Sequence, residues 1–412
     1  MINTHDRLCP ICSSDEKKIL EQIRFTLFDG HPMNGGYALV QCGKCGFIYA
    51  NTNVTQGQLD IYYTELSKYE DKVVSTGSGY SQNDRDRLFA VAKFLDQNIA
   101  NKSARILDLG CANGGLLKEL KNLGFENVVG VDPSHACVVM AREEVGCEVL
   151  QYSLFDIPDN IGKFDVVILS HVLEHVFDID KAMAIVRHLL VDGGVAYIEC
   201  PDAQHYYKVI HAPLQEFNSE HINHFSVNSF RNLVLSKGFE EIQIGEKVFK
   251  IASDQDYHAV YALSRKGAEV NNFAFEFDTS ISKAIGNYIF ESKRMFAEIA
   301  DLLKEIPQDT TIALYGMGQF SFKLLSTYEL AHRTKLKFFD NNKINVGNTI
   351  GRIAVQHGDE LLQEYEKEKF TIVVSSLIHE MPIRNSIEAR FKEKNHFPDI
   401  VGFSRVLRRT DH

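Results

Sequence analysis

The sequence predicts an α/β protein in which helices cover both faces of a mostly parallel sheet. Three observations predict it. Short runs of branched residues recur at RILDLG (105–110), VVGVD (128–132), FDVVILS (164–170) and GVAYIEC (194–200). Amphipathic stretches separate the first three runs, and AMAIVRHLL (182–190) precedes the fourth. A second strand–glycine–helix unit starts at TIALYG (311–316), with later strands at KLKFFD (335–340) and FTIVVSSL (370–377). Strands that alternate with helices build a parallel sheet buried on both sides.

The chain has 412 residues, which at roughly 100–200 residues per domain gives two to four domains. We divide it at 1–80, a cysteine-pair module with a tyrosine- and serine-rich connector, 81–265, the first α/β unit, and 266–412, a connector helix (281–306) and the second α/β unit. A 44% hydrophobic and 24% charged composition is that of a folded globular protein. Lys+Arg total 44 against Asp+Glu 55, a formal net charge of −11. That balance argues against a nucleic-acid partner, which calls for a basic footprint. No apolar run is long enough to span a bilayer, so no membrane partner is expected. MINTHDRLCP lacks the basic and apolar regions of a signal peptide, which points to the cytoplasm.

Four of the eight cysteines form two C-x2-C pairs, Cys9–Cys12 and Cys42–Cys45, separated by 29 residues. Two such pairs supply four thiolates for one tetrahedral zinc ion. Four thiolates leave no open position for water, so the expected role is structural. Residues 1–80 hold 7 Lys+Arg and 9 Asp+Glu, which disfavours a nucleic-acid-binding zinc module.

The most informative stretch is Asp108-Leu109-Gly110-Cys111-Ala112-Asn113-Gly114, at a strand end and just before a helix. Ligands of open α/β sheets bind outside the carboxyl ends of the strands. A dinucleotide loop reads G-x-G-x-x-G and aims a helix at a pyrophosphate. Here an acid, Asp108, stands two residues before the first glycine and would repel that anion. Asp132, ending the next strand before Pro133, is placed to accept hydrogen bonds from ribose hydroxyls. The ligand predicted is a nucleoside with a positive, phosphate-free tail, a description that S-adenosylmethionine fits.

This run, followed by Val131-Asp132-Pro133-Ser134 and Leu169-Ser170-His171-Val172-Leu173-Glu174-His175, resembles the ordered motifs of class I S-adenosylmethionine-dependent methyltransferases. The resemblance covers about residues 85–265. It implies that Asp108, Gly110, Cys111 and Gly114 surround the methionine end and that Asp132 and Pro133 meet the ribose. Ser153 and Leu154 would border the adenine, with Ser170 and His171 shaping the pocket. The fold implied is a Rossmann-like methyltransferase core between an N-terminal zinc-binding module and a second, C-terminal Rossmann-like lobe.

A hydroxyl or carbon acid must lose a proton before it accepts a methyl group, and a histidine suits that role. Glu220-His221-Ile222-Asn223-His224-Phe225-Ser226 gathers the candidates. The order of the three parts resembles the nucleotide-sugar C-methyltransferases, which place a His-Glu-His-Phe-Ser-like run here. His224 matches the base of that run, with Asn223 beside it, while Glu220-His221 lies just upstream. The resemblance also implies a tyrosine from the connector, where Tyr62, Tyr63, Tyr69 and Tyr80 lie; Tyr69 is the one selected. It further implies that the loop Gly316-Met317-Gly318 helps hold the nucleotide of the substrate, although the lobe is equally suited to structural support or a homodimer. The expected activity is methylation of a nucleotide-linked sugar at carbon or oxygen in deoxysugar or surface-polysaccharide synthesis. The rivals are an RNA methyltransferase with a zinc ribbon and a non-catalytic scaffold.

Overall fold

The computed structural model describes residues 7–65, 78–252 and 255–407. β1 (Lys17–Arg24), β2 (Gly36–Cys42) and β3 (Ile48–Asn51) form an antiparallel sheet in which every residue of β2 and β3 is buried. The central sheet takes β4 (Arg105–Leu109), β5 (Asn127–Asp132), β6 (Glu148–Gln151), β7 (Phe164–Ser170) and β8 (Leu190–Pro201). A two-residue strand, β9 (Asn223–His224), then leaves this unit and pairs with β3. The chain returns to the central sheet as the long hairpin β10 (Phe239–Ala252) and β11 (Gln255–Lys266).

The central strand order is β10-β11-β8-β7-β4-β5-β6. β11 runs antiparallel to β8, and the five strands from β8 to β6 are parallel. The four runs singled out in the sequence are β4, β5, β7 and β8, four of the five inner strands. The chain winds outward from β4 through β5 and β6, then back to β7 on the other side. That reversal opens a crevice at the carboxyl ends of β4 and β7. Asp108, Asp132 and Ser170 therefore finish their strands around one opening.

The helix Thr279–Lys304 buries Ile281, Ile285, Tyr288, Met295 and Ile299 along one face, the spacing of an amphipathic helix. Beyond it lie β12 (Ile312–Tyr315), β13 (Leu336–Asp340), β14 (Thr349–Ile350), β15 (Ile353–His357), β16 (Thr371–Val374) and β17 (Ile400–Val401), ordered β14-β15-β13-β12-β16-β17. Within this described sheet the β14–β15 pair is antiparallel and the other pairs are parallel. No helix among the described residues is long and apolar enough to cross a membrane.

The cysteine-pair sheet and the central unit are interlocked rather than strung in series. Arg7 is 6% exposed, and its guanidinium donates to the carbonyls of Ala50 (3.2 Å), Ile222 (3.3 Å) and Phe177 (2.7 Å) and to Asn223 Oδ1 (3.0 Å). Burial pushes its pKa down to about 10, still far above neutrality, so a full charge sits in the core among carbonyl dipoles. Arg7→Ala strands these buried acceptors, each of which costs about 1–3 kcal/mol when unpaired. Urea unfolding should show a loss of at least about 3 kcal/mol, with the slope of the transition unchanged.

Candidate active site

A cavity of about 350 Å³ occupies the crevice and extends to the N-terminal helix Gln56–Glu65. Its walls include Asp108, Gly110, Cys111, Asp132, Pro133, Ser153, Leu154, Ser170 and His171. Gly110 has φ +79°, and a Cβ there would lie 2.7 Å from Val172 Cγ2, so the bend needs glycine. Gly114 serves a different purpose. It caps the helix Gly115–Asn122 at φ +80° and packs on Ala141 and Val145, away from the cavity wall. The Cys111 sulfur packs over Gly130 in β5, so this residue meets the cavity from a side chain anchored in the sheet.

The two carboxylates are held differently. Asp132 accepts from the backbone N–H of Ala112 (2.9 Å) and of Ser134 (2.9 Å), pinning the glycine bend to the turn after β5. Burial pushes its pKa up to about 6 despite those bonds. Asp108 is 3% exposed; burial, aided by the charge of Asp132, pushes it up to about 7. Two buried acids without a neighbouring positive charge resist ionisation, and a cation placed beside them removes that resistance.

The far wall carries a charge network. His171, at φ +58°, lies between Glu174 Oε1 (Nδ1, 3.2 Å) and Glu199 Oε1 (Nε2, 3.3 Å). Burial works against the imidazolium, but those two carboxylates outweigh it and raise its pKa to about 9. Burial raises Glu199, yet His171 and Lys247 bring it down to about 2. The network is ionised at neutral pH and internally balanced. The Tyr257 hydroxyl touches it, 3.3 Å from His171 Nδ1.

Next to it, His221 and His175 meet edge to face with ring centroids 4.8 Å apart. His175 Nδ1 lies 2.7 Å from the Tyr63 hydroxyl and 3.2 Å from the Glu220 carbonyl oxygen. Tyr63, His175 and His221 all line the cavity. Glu220 is 1% exposed and its Oε1 accepts from Gln319 Nε2 (3.1 Å), so it supports the wall from behind.

Several expectations are corrected. His224 does not reach the cavity. As a partner of Ile48 in β9 it is fully buried, edge to face with Phe217 (4.8 Å) and Tyr206 (5.9 Å). Burial pushes its pKa down to about 3, which suits a packed neutral ring. Asn223 is likewise structural: its amide donates to the carbonyls of Leu173 (2.8 Å) and Val176 (2.7 Å). Tyr69 lies outside the described residues; among the described connector tyrosines, Tyr63 lines the cavity. Gly316 and Gly318 line neither of the two main cavities, and the bend's amides are already engaged. Gly316 N donates to Phe339 O (2.8 Å), Met317 N to Asp340 Oδ2 (2.7 Å) and Gly318 N to Ser321 Oγ (3.3 Å). The sequence assigned no site role to Arg87, Glu174 or Glu199; it gave His175, like His171, only a part in shaping the cofactor pocket and held Tyr63 as one of four connector tyrosines. The Glu174-His175 pair at the end of the third motif was the available signal.

The four pair cysteines are buried and converge. Their sulfurs all lie within 4.8 Å of one another, with Cys9–Cys45 at 3.6 Å and Cys12–Cys42 at 3.4 Å. A tetrahedron with metal–sulfur bonds of about 2.3 Å has edges near 3.8 Å, so the set fits a tetrathiolate ion.

Residues 82–244 match the family model of a methyltransferase domain. The chain is 34% identical over 99 residues to a ubiquinone biosynthesis O-methyltransferase of Mesorhizobium japonicum, covering 23% of this chain and 39% of that protein. Over 105 residues it is 33% identical to a tRNA U34 carboxymethyltransferase of Pseudomonas syringae pv. syringae, covering 24% and 33%. The chain thus spans well under half the length of these relatives. Magnesium protoporphyrin IX methyltransferase of Synechocystis, solved with bound SAM, aligns at a TM-score of 0.36 and 19% identity over 52% of this chain and 99% of its own. The chain carries a methyltransferase domain.

Asp108 supplies a test of the crevice that needs no ligand. A carboxyl whose pKa is raised in the folded state stabilises the fold below its unfolded value near 4, and that stability is lost as pH rises through about 7. Asp108→Asn removes the penalty. Its melting temperature relative to the parent should climb between pH 4 and 7 and level off above; a constant difference contradicts the assignment.

Proposed function

We propose that this methyltransferase domain binds S-adenosylmethionine and transfers its methyl group to a hydroxyl or an enolisable carbon of a nucleotide-linked sugar. The observation that carries the reading is the placement of Asp108 and Asp132 in one cavity with His175 and His221. Asp132 would hold the ribose, with Ser153 and Leu154 at the adenine. Asp108 would face the cationic end. Arg87 also lines the cavity; its Nε and Nη2 donate to Asp84 Oδ1 (3.3 and 3.1 Å), while its Nη1 is buried without a hydrogen-bond partner among the described residues and is the donor left for the methionine carboxylate. S-adenosylmethionine supplies an electrophilic methyl on a positive sulfur.

His221 is the base in this reading. Its imidazole takes the proton from the acceptor hydroxyl, or from the carbon beside a ketone. His175, fixed by Tyr63, packs against the His221 ring and sets its orientation. The wall that carries His221 also carries Glu220, bound to Gln319 just after β12, so the C-terminal sheet steadies the base. In-line transfer depends mainly on alignment, which a buried, hydrogen-bonded wall provides. The sugar acceptor is supported by the order of the three parts along the chain. The tetrathiolate cluster takes a structural zinc ion, and a chain charge of −11 weighs against RNA.

The test compares two histidines. His221→Ala should keep S-adenosylmethionine affinity within a few-fold while turnover on candidate nucleotide sugars, followed by mass spectrometry, falls by about 100-fold or more. His224→Phe, which fills the same aromatic niche, should retain most activity. The reverse ranking would return the base to His224.

A further inference from the structure

A second cavity, about 340 Å³, lies on the other side of Tyr257, whose ring lines both. Its walls hold Asp202, His205, Glu216, Asp256 and His258, and no lysine or arginine is among its described lining residues. Asp202 is fully buried, and its Oδ2 lies 2.7 Å from His205 Nδ1. A carboxylate there fixes the imidazole as the Nδ1–H form and leaves the Nε2 lone pair to act as a donor. His258 stacks on the same ring, 4.5 Å between centroids and 15° between planes, and fixes its plane. Beyond Nε2, at 3.9 Å, stands Glu246 Oε2. That gap is too long for a hydrogen bond, but it is within the span of two metal–ligand bonds of about 2.0–2.2 Å each. One donor atom each of Asp202, His205 and Glu246 lies within 4.8 Å of the other two.

We propose that His205 Nε2 and Glu246 bind a divalent transition-metal ion, with Asp202 as the carboxylate that orients His205. The ion's remaining positions face the cavity and take water or the oxygens of a ligand. Imidazole with carboxylate suits manganese or zinc. Asp256 in the wall is already paired with Lys250, and the ion balances the remaining acidic lining groups, Asp202 and Glu216. Glu246 is 45% exposed at its side chain and gives the ion a route in. If methyl transfer takes place in the first cavity, the ion stands one phenol ring away and is placed to hold an oxygen-rich part of the acceptor. The metal site itself does not depend on that reading.

Mn2+ is the probe, because a tetrathiolate cluster disfavours this hard ion and free Mn2+ is counted directly by electron paramagnetic resonance. Full-length protein, purified with its thiolate-bound metal in place, should bind one Mn2+ per chain. Glu246→Gln, a change at a half-exposed position, and Asp202→Asn should each weaken binding by about 10–100-fold, with circular dichroism unchanged for Glu246→Gln. Absence of stoichiometric Mn2+ binding overturns the proposal. So does binding of parental strength in Glu246→Gln and His205→Gln together.

Discussion

The structure depends on placing two carboxylates out of water at neighbouring strand ends. Asp108 and Asp132 lie at the carboxyl ends of β4 and β5, next to the β4–β7 junction where the winding of the sheet reverses, and neither forms an ion pair among the described residues. Isolated buried charges are costly, and the cost appears as raised pKa values. A fold tolerates such a pair when a ligand offsets the cost. A phosphate would make it worse. A positively charged nucleoside relieves it, which is the ground on which we propose that this crevice disfavours dinucleotides although its strand–glycine–helix geometry is close to theirs.

The opposite wall solves a similar problem internally. Glu174 and Glu199 are as buried as the two aspartates, but His171 and Lys247 stand beside them. This half of the cavity is electrically closed; the Asp108 half is open to an incoming charge. The contrast separates a wall that positions from a wall that binds. The N-terminal module belongs to the first kind. Through Arg7, β9 and the helix bearing Tyr63 it braces the loop that carries His221, so the cysteine cluster acts on the cavity by fixing a distant strand.

The parallel core and the crevice were legible because they follow from local patterns: branched runs for strands, an acid and a glycine at a strand end. Nearly all the residues picked near that bend line the cavity for the same reason. The choice among histidines was not legible. His221 and His224 are three residues apart, and only the pairing of His224 with Ile48, from a strand more than 170 residues earlier, turns one ring into the core and leaves the other on the cavity wall. Tyr63 was one of four tyrosines in a connector, and of the three described it is the one whose hydroxyl meets His175. Gly316 and Gly318 show the converse. Their loop looks like an anion site in sequence, yet Asp340 and a serine hydroxyl already accept its amides.

The most direct test of the proposed cation selectivity is calorimetric titration of the protein with S-adenosylmethionine between pH 5.5 and 7.5 in two buffers of different ionisation enthalpy. Binding that tightens as pH rises, with protons released to the buffer near pH 7, is the predicted result, because the incoming cation drives Asp108 to ionise. Affinity independent of pH with no proton release, or preferential binding of a dinucleotide in the same crevice, would contradict it.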